Sequence, residues 1–236
     1  MAQNTAREPA PDASLSRGDE TRGQLLDAGL TLFSRYGYDS VTTRQLASEA
    51  GANIAAIAYH FGGKRDLYRA VLHRLVEDTE PLVGPVAQRM AEGIAAAGAD
   101  KAALARVVAG FVHGFTSIFL EGDFMAHRAP MVMREYANPS QDFDILYEGR
   151  LGPIHRSVTA LAAAALGMDP DSPEAKIRAH AVMGNLVVFE VAKQLLMRRT
   201  GWEAYTPDRI ALVRRMITEA VLNSLRLPHP DNGDRQ

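Results

Sequence analysis

The chain carries 28 acidic residues and 7 histidines, yet their spacing fits no catalytic or metal-binding arrangement. There is no glycine-rich phosphate loop, no serine nucleophile elbow and no His-Glu-x-x-His zinc pair. His113, His127, His155 and His180 lack the i, i+4 spacing that puts two ligands on one helix face. No enzymatic activity, metal or cofactor is expected. Side chains suited to a different chemistry lie between residues 53 and 61. Ile54, Ala55, Ala58 and Tyr59 fall on one side of a short helical segment. Small residues there let a backbone come close to base edges, and apolar ones touch thymine methyl groups.

The surrounding elements explain how such a face is presented. From Thr21, the residues Leu25, Leu26, Leu30, Phe33 and Tyr36 recur at helical spacing, and Gly37 ends the helix. Thr42 opens a second, short helix. Its hydroxyl caps the first turn, and Gln45 reaches back as in a capping box. Gly51 closes that helix, Asn53 caps a third, and Gly62-Gly63 breaks it before a fourth begins at Lys64. Two short helices joined by a tight glycine-containing turn cross steeply and project the second one outward. Leu46, Ala47, Ala50, Ile57 and Phe61 form the small apolar core that sets the crossing.

From Val76 to Leu227 the pattern is helical, with breaks expected at Pro81 to Pro85, Gly98 to Asp100, Glu121 to Asp123, Asn138-Pro139, Gly167 to Ser172 and Gly201 to Thr206. Ser172-Pro173-Glu174 and Thr206-Pro207-Asp208 each place a capping side chain, a proline and an acid at a helix start. No segment alternates as a strand does, so the fold class is all-α. Residues 1–16 read as a disordered arm, 17–75 as a helix-turn-helix domain, 76–227 as a larger helical domain and 228–236 as a polar tail.

Bulk properties narrow the setting. With 47% hydrophobic residues, 236 residues are ample for a packed core. No run of about 20 apolar residues suits a bilayer, and no signal peptide opens the chain, so no membrane association is expected. The absence of cysteine fits a cytoplasmic protein. The net charge of -2 hides a mild asymmetry. Residues 17–75 hold eight Lys and Arg against six Asp and Glu, whereas 76–236 hold seventeen against twenty.

The ordered set Phe33…Tyr36-Gly37, Thr42-Thr43-Arg44-Gln45-Leu46-Ala47, Ala50-Gly51, Tyr59-His60-Phe61 and Lys64…Leu67 resembles the DNA-binding head of the TetR/AcrR family of bacterial transcription regulators. Asn53-Ile54-Ala55-Ala56-Ile57, His60-Phe61-Gly62-Gly63-Lys64 and Arg134-Glu135-Tyr136-Ala137-Asn138-Pro139-Ser140 resemble its CecR-like subgroup. The resemblance implies a helical ligand-binding and dimerisation domain behind the head. It also assigns roles. Arg44 matches a position that reaches a base edge, and Thr42 and Thr43 match positions that cap a helix and touch phosphate. Asn53, Ile54, Ala55, Ala56, Ala58 and Tyr59 occupy the reading element, and His60 and Lys64 match phosphate contacts. Ala58 departs from the family, many of whose members carry an aromatic residue there.

Two further sets follow in the body. Ile177, Ala181, Gly184, Val188, Val191 and Leu195 form one stripe, and Ile210, Val213 and Ile217 line the last helix. Such stripes pack either inside a monomer or against a second copy; the resemblance implies a homodimer through the final two helices. Two heads related by a twofold axis would read both halves of a palindromic operator. Phe111, Phe115, Phe119, Phe124, Met125, Met131, Met133, Phe143 and Tyr147 concentrate in the middle helices, as a core or as an adaptable pocket. His113, Arg134, Glu135 and His155 are its candidate polar groups, with Arg134-Glu135 alternatively a structural ion pair. The expected function is a repressor released from DNA by a small, largely apolar effector. The rival expectation is a head that contacts a protein partner.

Overall fold

The computed structural model describes residues 17–121 and 127–229. The expected arm at 1–16, Phe124, Met125 and the tail beyond His229 lie outside the described residues. Every regular element among those described is helical: α1 (Arg17–Tyr36), α2 (Thr43–Glu49), α3 (Ile54–Phe61), α4 (Lys64–Ala97), α5 (Lys101–Leu120), α6 (Ala129–Ala137), α7 (Phe143–Leu146), a π-helical turn (Tyr147–Leu151), α8 (Gly152–Leu166), α9 (Pro173–Val191), α10 (Lys193–Thr200) and α11 (Pro207–Ser224).

The helix starts are set locally. Asp100 accepts from the amides of Ala102 and Ala103, Ser172 from Ala175 and Thr206 from Arg209, and prolines open α9 and α11. One local signal misleads. Pro81 and Pro85 do not break the chain; both sit inside the 34-residue α4. They are one turn apart and exposed, so both missing N–H groups fall on the solvent face. The opposite face is fastened by buried Val83, Val86 and Met90. Just upstream, the buried Thr79 hydroxyl donates to the carbonyls of Leu75 (2.8 Å) and Val76 (3.1 Å). Arg150 also donates to Val76 O, at 2.5 Å.

Two apolar cores follow. One lies between α1, α2, α3 and the first half of α4, and it also takes in Met131, Val132 and Leu146 from beyond the head. The other joins the second half of α4 to α5, α8, α9 and α11. Long helices approach closely there: a methyl group on Gly114 would stand 2.8 Å from Val86, and one on Gly93 would stand 2.7 Å from Val107. α5 is long and apolar enough, by length and composition, to cross a membrane. Here it is the central core helix, with Leu104, Val108 and Val112 fully buried against its neighbours.

Ile210, Val213 and Ile217 belong to this second core, at 4%, 4% and 2% exposure, with α11 laid on α5. Their expected place on an exposed dimer face is corrected: the periodicity located a buried stripe, and the neighbour that covers it is α5. The large apolar residues that α11 leaves exposed are Leu212 and Met216. The other stripe lies open. Ile177, Ala181, Gly184, Val188 and Val191 are exposed along α9, and Leu195 continues the stripe on α10 past a break at Ala192. The opposite face of α9 supplies Ala179, Val182, Met183 and Leu186 to the core.

Candidate nucleic-acid interface

α2 and α3 form the outer end of the molecule. Thr42 completes both halves of the capping box: its hydroxyl accepts from the Gln45 amide at 3.2 Å, and its own amide donates to Gln45 Oε1 at 2.8 Å. Asn53 Oδ1 accepts from the Ala55 amide at 2.9 Å. Gly62 ends α3 at φ +85, a left-handed conformation that strains residues with a Cβ. Leu46, Ala47 and Ile57 are buried beneath, so the inner faces of α2 and α3 are fixed.

The outer faces are open. Ile54, Ala55, Ala58 and Tyr59 share the exposed side of α3, with Ile54 50% and Tyr59 84% exposed. The Tyr59 ring meets the His60 ring edge-on at 4.9 Å and is otherwise open to solvent. Thr42, Arg44 and Asn53 are also exposed, while Thr43, Ala56 and His60 are half-buried. Lys64, expected as a phosphate contact, is half-buried at the start of α4. Its ammonium lies 4.2 Å from the centre of the Tyr38 ring, which holds it by a cation–π contact at the base of α4. Arg22 similarly covers Phe61, which packs against the head core.

The head is tied to the body by polar groups around α6. Tyr68, 2% exposed, donates its hydroxyl to Glu135, which is 1% exposed. The other oxygen of Glu135 accepts from the Ser140 amide at 3.2 Å and the Ser140 hydroxyl at 3.1 Å. Burial, and then the carboxylate partner, push the Tyr68 phenol well above its ordinary 10.0. Arg134 donates to the carbonyls of Ser34 (3.3 Å) and Arg35 (3.1 Å) at the end of α1. Asp142 receives Arg65 at 3.1 and 3.2 Å, with Arg69 3.6 Å away. Arg134 and Glu135 thus hold separate partners and form no ion pair with each other; both line a polar cleft of about 680 Å³ beside Tyr38 and Asp142, apart from the cavities of the body. Met131, fully buried, belongs to the head core and is likewise removed from the expected pocket.

An inner chamber of about 50 Å³ lies behind this tie. Its walls come from α4 (Leu75, Thr79, Val83), α5 (Phe115, Phe119), α6 (Val132, Met133, Tyr136), α8 (Ile154, His155) and α9 (Met183, Val187, Glu190). Its open surface is wholly apolar. Beside it an outer cleft of about 690 Å³ is lined by Phe143, Tyr147, Arg156, Lys176 and His180, among others. Tyr136, Leu151 and His155 line both. The Tyr136 hydroxyl and His155 Nε2 are 2.9 Å apart, and the His155 and His180 rings stack at 5.8 Å. Burial, then the proximity of His180, hold His155 below its ordinary 6.5.

Of the expected pocket residues, Phe115, Phe119, Phe143, Tyr147 and His155 therefore meet in this pair of cavities. His113 is exposed on α5. Phe111 lines a different groove between α4 and α5, with Arg89 and Arg106. Sequence reasoning missed Val83, Ile154, Val187, Arg156, Lys176 and the Tyr68–Glu135–Ser140 tie. None carries a local signal, because each is assembled from distant segments.

Residues 25–71 match the family described as bacterial regulatory proteins, tetR family, and residues 105–226 match the C-terminal domain of the HTH-type transcriptional dual regulator CecR. The chain belongs to the TetR family, in its CecR-like branch. It is a DNA-binding transcriptional regulator by class, and the family is not one of enzymes. This TetR-family chain is 29% identical over 202 residues to CecR of Shigella flexneri, spanning 86% of the chain and 90% of the relative. It is 35% identical over 88 residues to the regulator SrpR of Pseudomonas putida, spanning 36% and 37%. The fold matches that of HlyIIR, a hemolysin II transcriptional regulator, with a TM-score of 0.55 and 16% identity, covering 85% of this chain and 98% of that one. It also matches AibR, solved in complex with isovaleryl coenzyme A and operator DNA, with a TM-score of 0.55 and 12% identity, covering 85% and 97%.

Proposed function

We propose that this TetR-family regulator is a cytoplasmic repressor that binds a palindromic operator as a homodimer and leaves it when a small, largely apolar effector occupies the inner chamber. Residues 17–75 act as the DNA-binding domain and 76–227 as the effector and dimer domain. Arg44 and Tyr59 reach base edges; Thr42, Thr43 and His60 meet phosphates; Ile54, Ala55 and Ala58 face the groove.

The observation that carries the ligand response is a shared wall. Leu75, Val132 and Leu146 line the chamber and are also part of the core around the head. A guest that moves them moves the base on which α2 and α3 stand. An effector that prefers the displaced arrangement shifts the population away from the form whose heads fit the DNA. AibR offers a fold-level parallel, having been solved with both a ligand and operator DNA. The dimer reading rests on the open apolar stripe from Ile177 to Leu195, with Leu212 and Met216 beside it on α11. Ala181 and Gly184 within the stripe permit close helix approach.

Footprinting across the DNA upstream of the chain's own gene tests the reading. A protected palindrome, with affinity falling steeply as salt rises, is the expected result. Absence of specific binding to any tested DNA overturns it and favours a head that serves a protein partner. Retention of the operator complex in the presence of every bound ligand overturns the effector part alone.

A further inference from the structure

The adjoining cavities differ in chemistry, and together they describe a ligand. The inner chamber has several times the roughly 10–15 Å³ that one water needs, but its open surface is apolar and offers water no partner. Such a space favours a small hydrocarbon group. Little in its wall is set to hold an anion. Arg150 directs its two terminal nitrogens to Glu80 (2.8 Å) and the carbonyl of Val76 (2.5 Å), and only its buried Nε is left without a partner. Glu190, half-buried at the chamber wall, would repel a negative group placed inside.

The outer cleft has the opposite character. Arg156, Lys176, His155 and His180 border it, against one carboxylate, Asp171. Arg156 and Lys176 are both exposed, and neither has an ion-pair partner among the described residues. The Arg156 guanidinium lies over Gly152, where an added methyl group would be 3.2 Å from it. Phe143 and Tyr147 supply ring faces on the same cleft, 5.9 Å apart. Tyr136 and His155 stand at the junction, lining both spaces.

We infer that the effector is an amphipathic anion: a short apolar group seated in the inner chamber, joined past Tyr136 and His155 to a carboxylate or phosphate head held by Arg156 and Lys176. This rests on the proposed ligand response but is separable from it, because binding and DNA release are read independently. A fully apolar ligand would leave the cationic cleft unused. A cationic one would face Arg156, Lys176 and the histidine pair with Asp171 alone as its complement.

Isothermal titration of the full-length protein with hexanoate, hexan-1-ol and hexylamine, which share one apolar body, tests the inference. Hexanoate is expected to bind at least tenfold more tightly than the alcohol, with the amine weakest. In the double variant R156A/K176A hexanoate falls to the level of the alcohol, while the alcohol's own affinity is unchanged. V187F, which fills the chamber, weakens both. Equal binding of acid and alcohol, tighter binding of the amine, or no binding of any probe overturns the inference. Hexanoate preference that survives R156A/K176A also overturns it. Selective hexanoate binding without release of the operator supports the ligand class and refutes the proposed DNA response.

Discussion

Removing the Tyr68 hydroxyl measures how firmly the head is held to the body. Tyr68→Phe deletes one hydrogen bond to the buried Glu135 carboxylate and leaves the ring packed against Phe33 and Tyr38, so no cavity forms. A hydrogen bond to a charged group contributes roughly 1.5–3 kcal/mol. For a chain of this length each kcal/mol moves Tm by about 2–4 °C, so a fall of roughly 3–12 °C is expected. Glu135→Ala strands the Tyr68 hydroxyl and both Ser140 donors, and it should cost more than Tyr68→Phe. The double variant should cost less than the sum of the two, because the shared bond is counted twice. Alkaline pH gives a second signature. The folded state holds the phenolic proton above the ordinary 10.0, which the unfolded chain releases near that value. The corresponding stability is full below pH 10 and is lost as pH rises beyond it; Tyr68→Phe should flatten that decline. Denaturant titration at fixed protein concentration reads all of this. A Tyr68→Phe effect under about 0.5 kcal/mol, or strict additivity with Glu135→Ala, would show that the tie stabilises nothing.

Arg44→Ala should weaken specific operator binding by about 1–3 kcal/mol in a gel shift, with non-specific binding much less affected. The double variant V188E/L195E places charges on the open stripe; sedimentation should show loss of the dimer while helix content persists, and an unchanged mass refutes that interface. Thr42→Ala removes a capping oxygen and should cost about 1 kcal/mol in thermal melts, centred on α2. His155 is held neutral in the fold, so its contribution is present above the ordinary 6.5 and is lost as pH falls below it. His155→Gln should reduce the acid sensitivity of the melt below the ordinary histidine value of 6.5, and an unaltered slope would discount that role.

The head was readable because its signals are local. Thr42 and Gln45 are three residues apart, Asn53 caps its own helix, and Gly62 sits where α3 must end. The body was less readable because its meaning lies in what covers each face. α9 and α11 are apolar on more than one side, and periodicity alone does not say which side faces α5 and which faces outward. Hence Ile210, Val213 and Ile217 proved to be core, while the stripe from Ile177 proved open. Pro81 and Pro85 read as a break because the rule for an isolated proline ignores the packing of Val83 and Val86 opposite. The destination of Met131 depended on α6 folding back against α1, which nothing near residue 131 announces.

The shared wall of the inner chamber also divides its lining into two evolutionary territories. Leu75, Val132 and Leu146 serve the head core as well as the cavity. A substitution at any of them alters ligand fit, head stability and DNA affinity together, and selection on one trait drags the others along. Ile154, Val187 and Met183 on the far side carry no such double duty to the head. New ligand specificities within this branch should therefore accumulate on the α8 and α9 side of the chamber, and directed evolution that randomises only that side should retain operator binding in far more of its library.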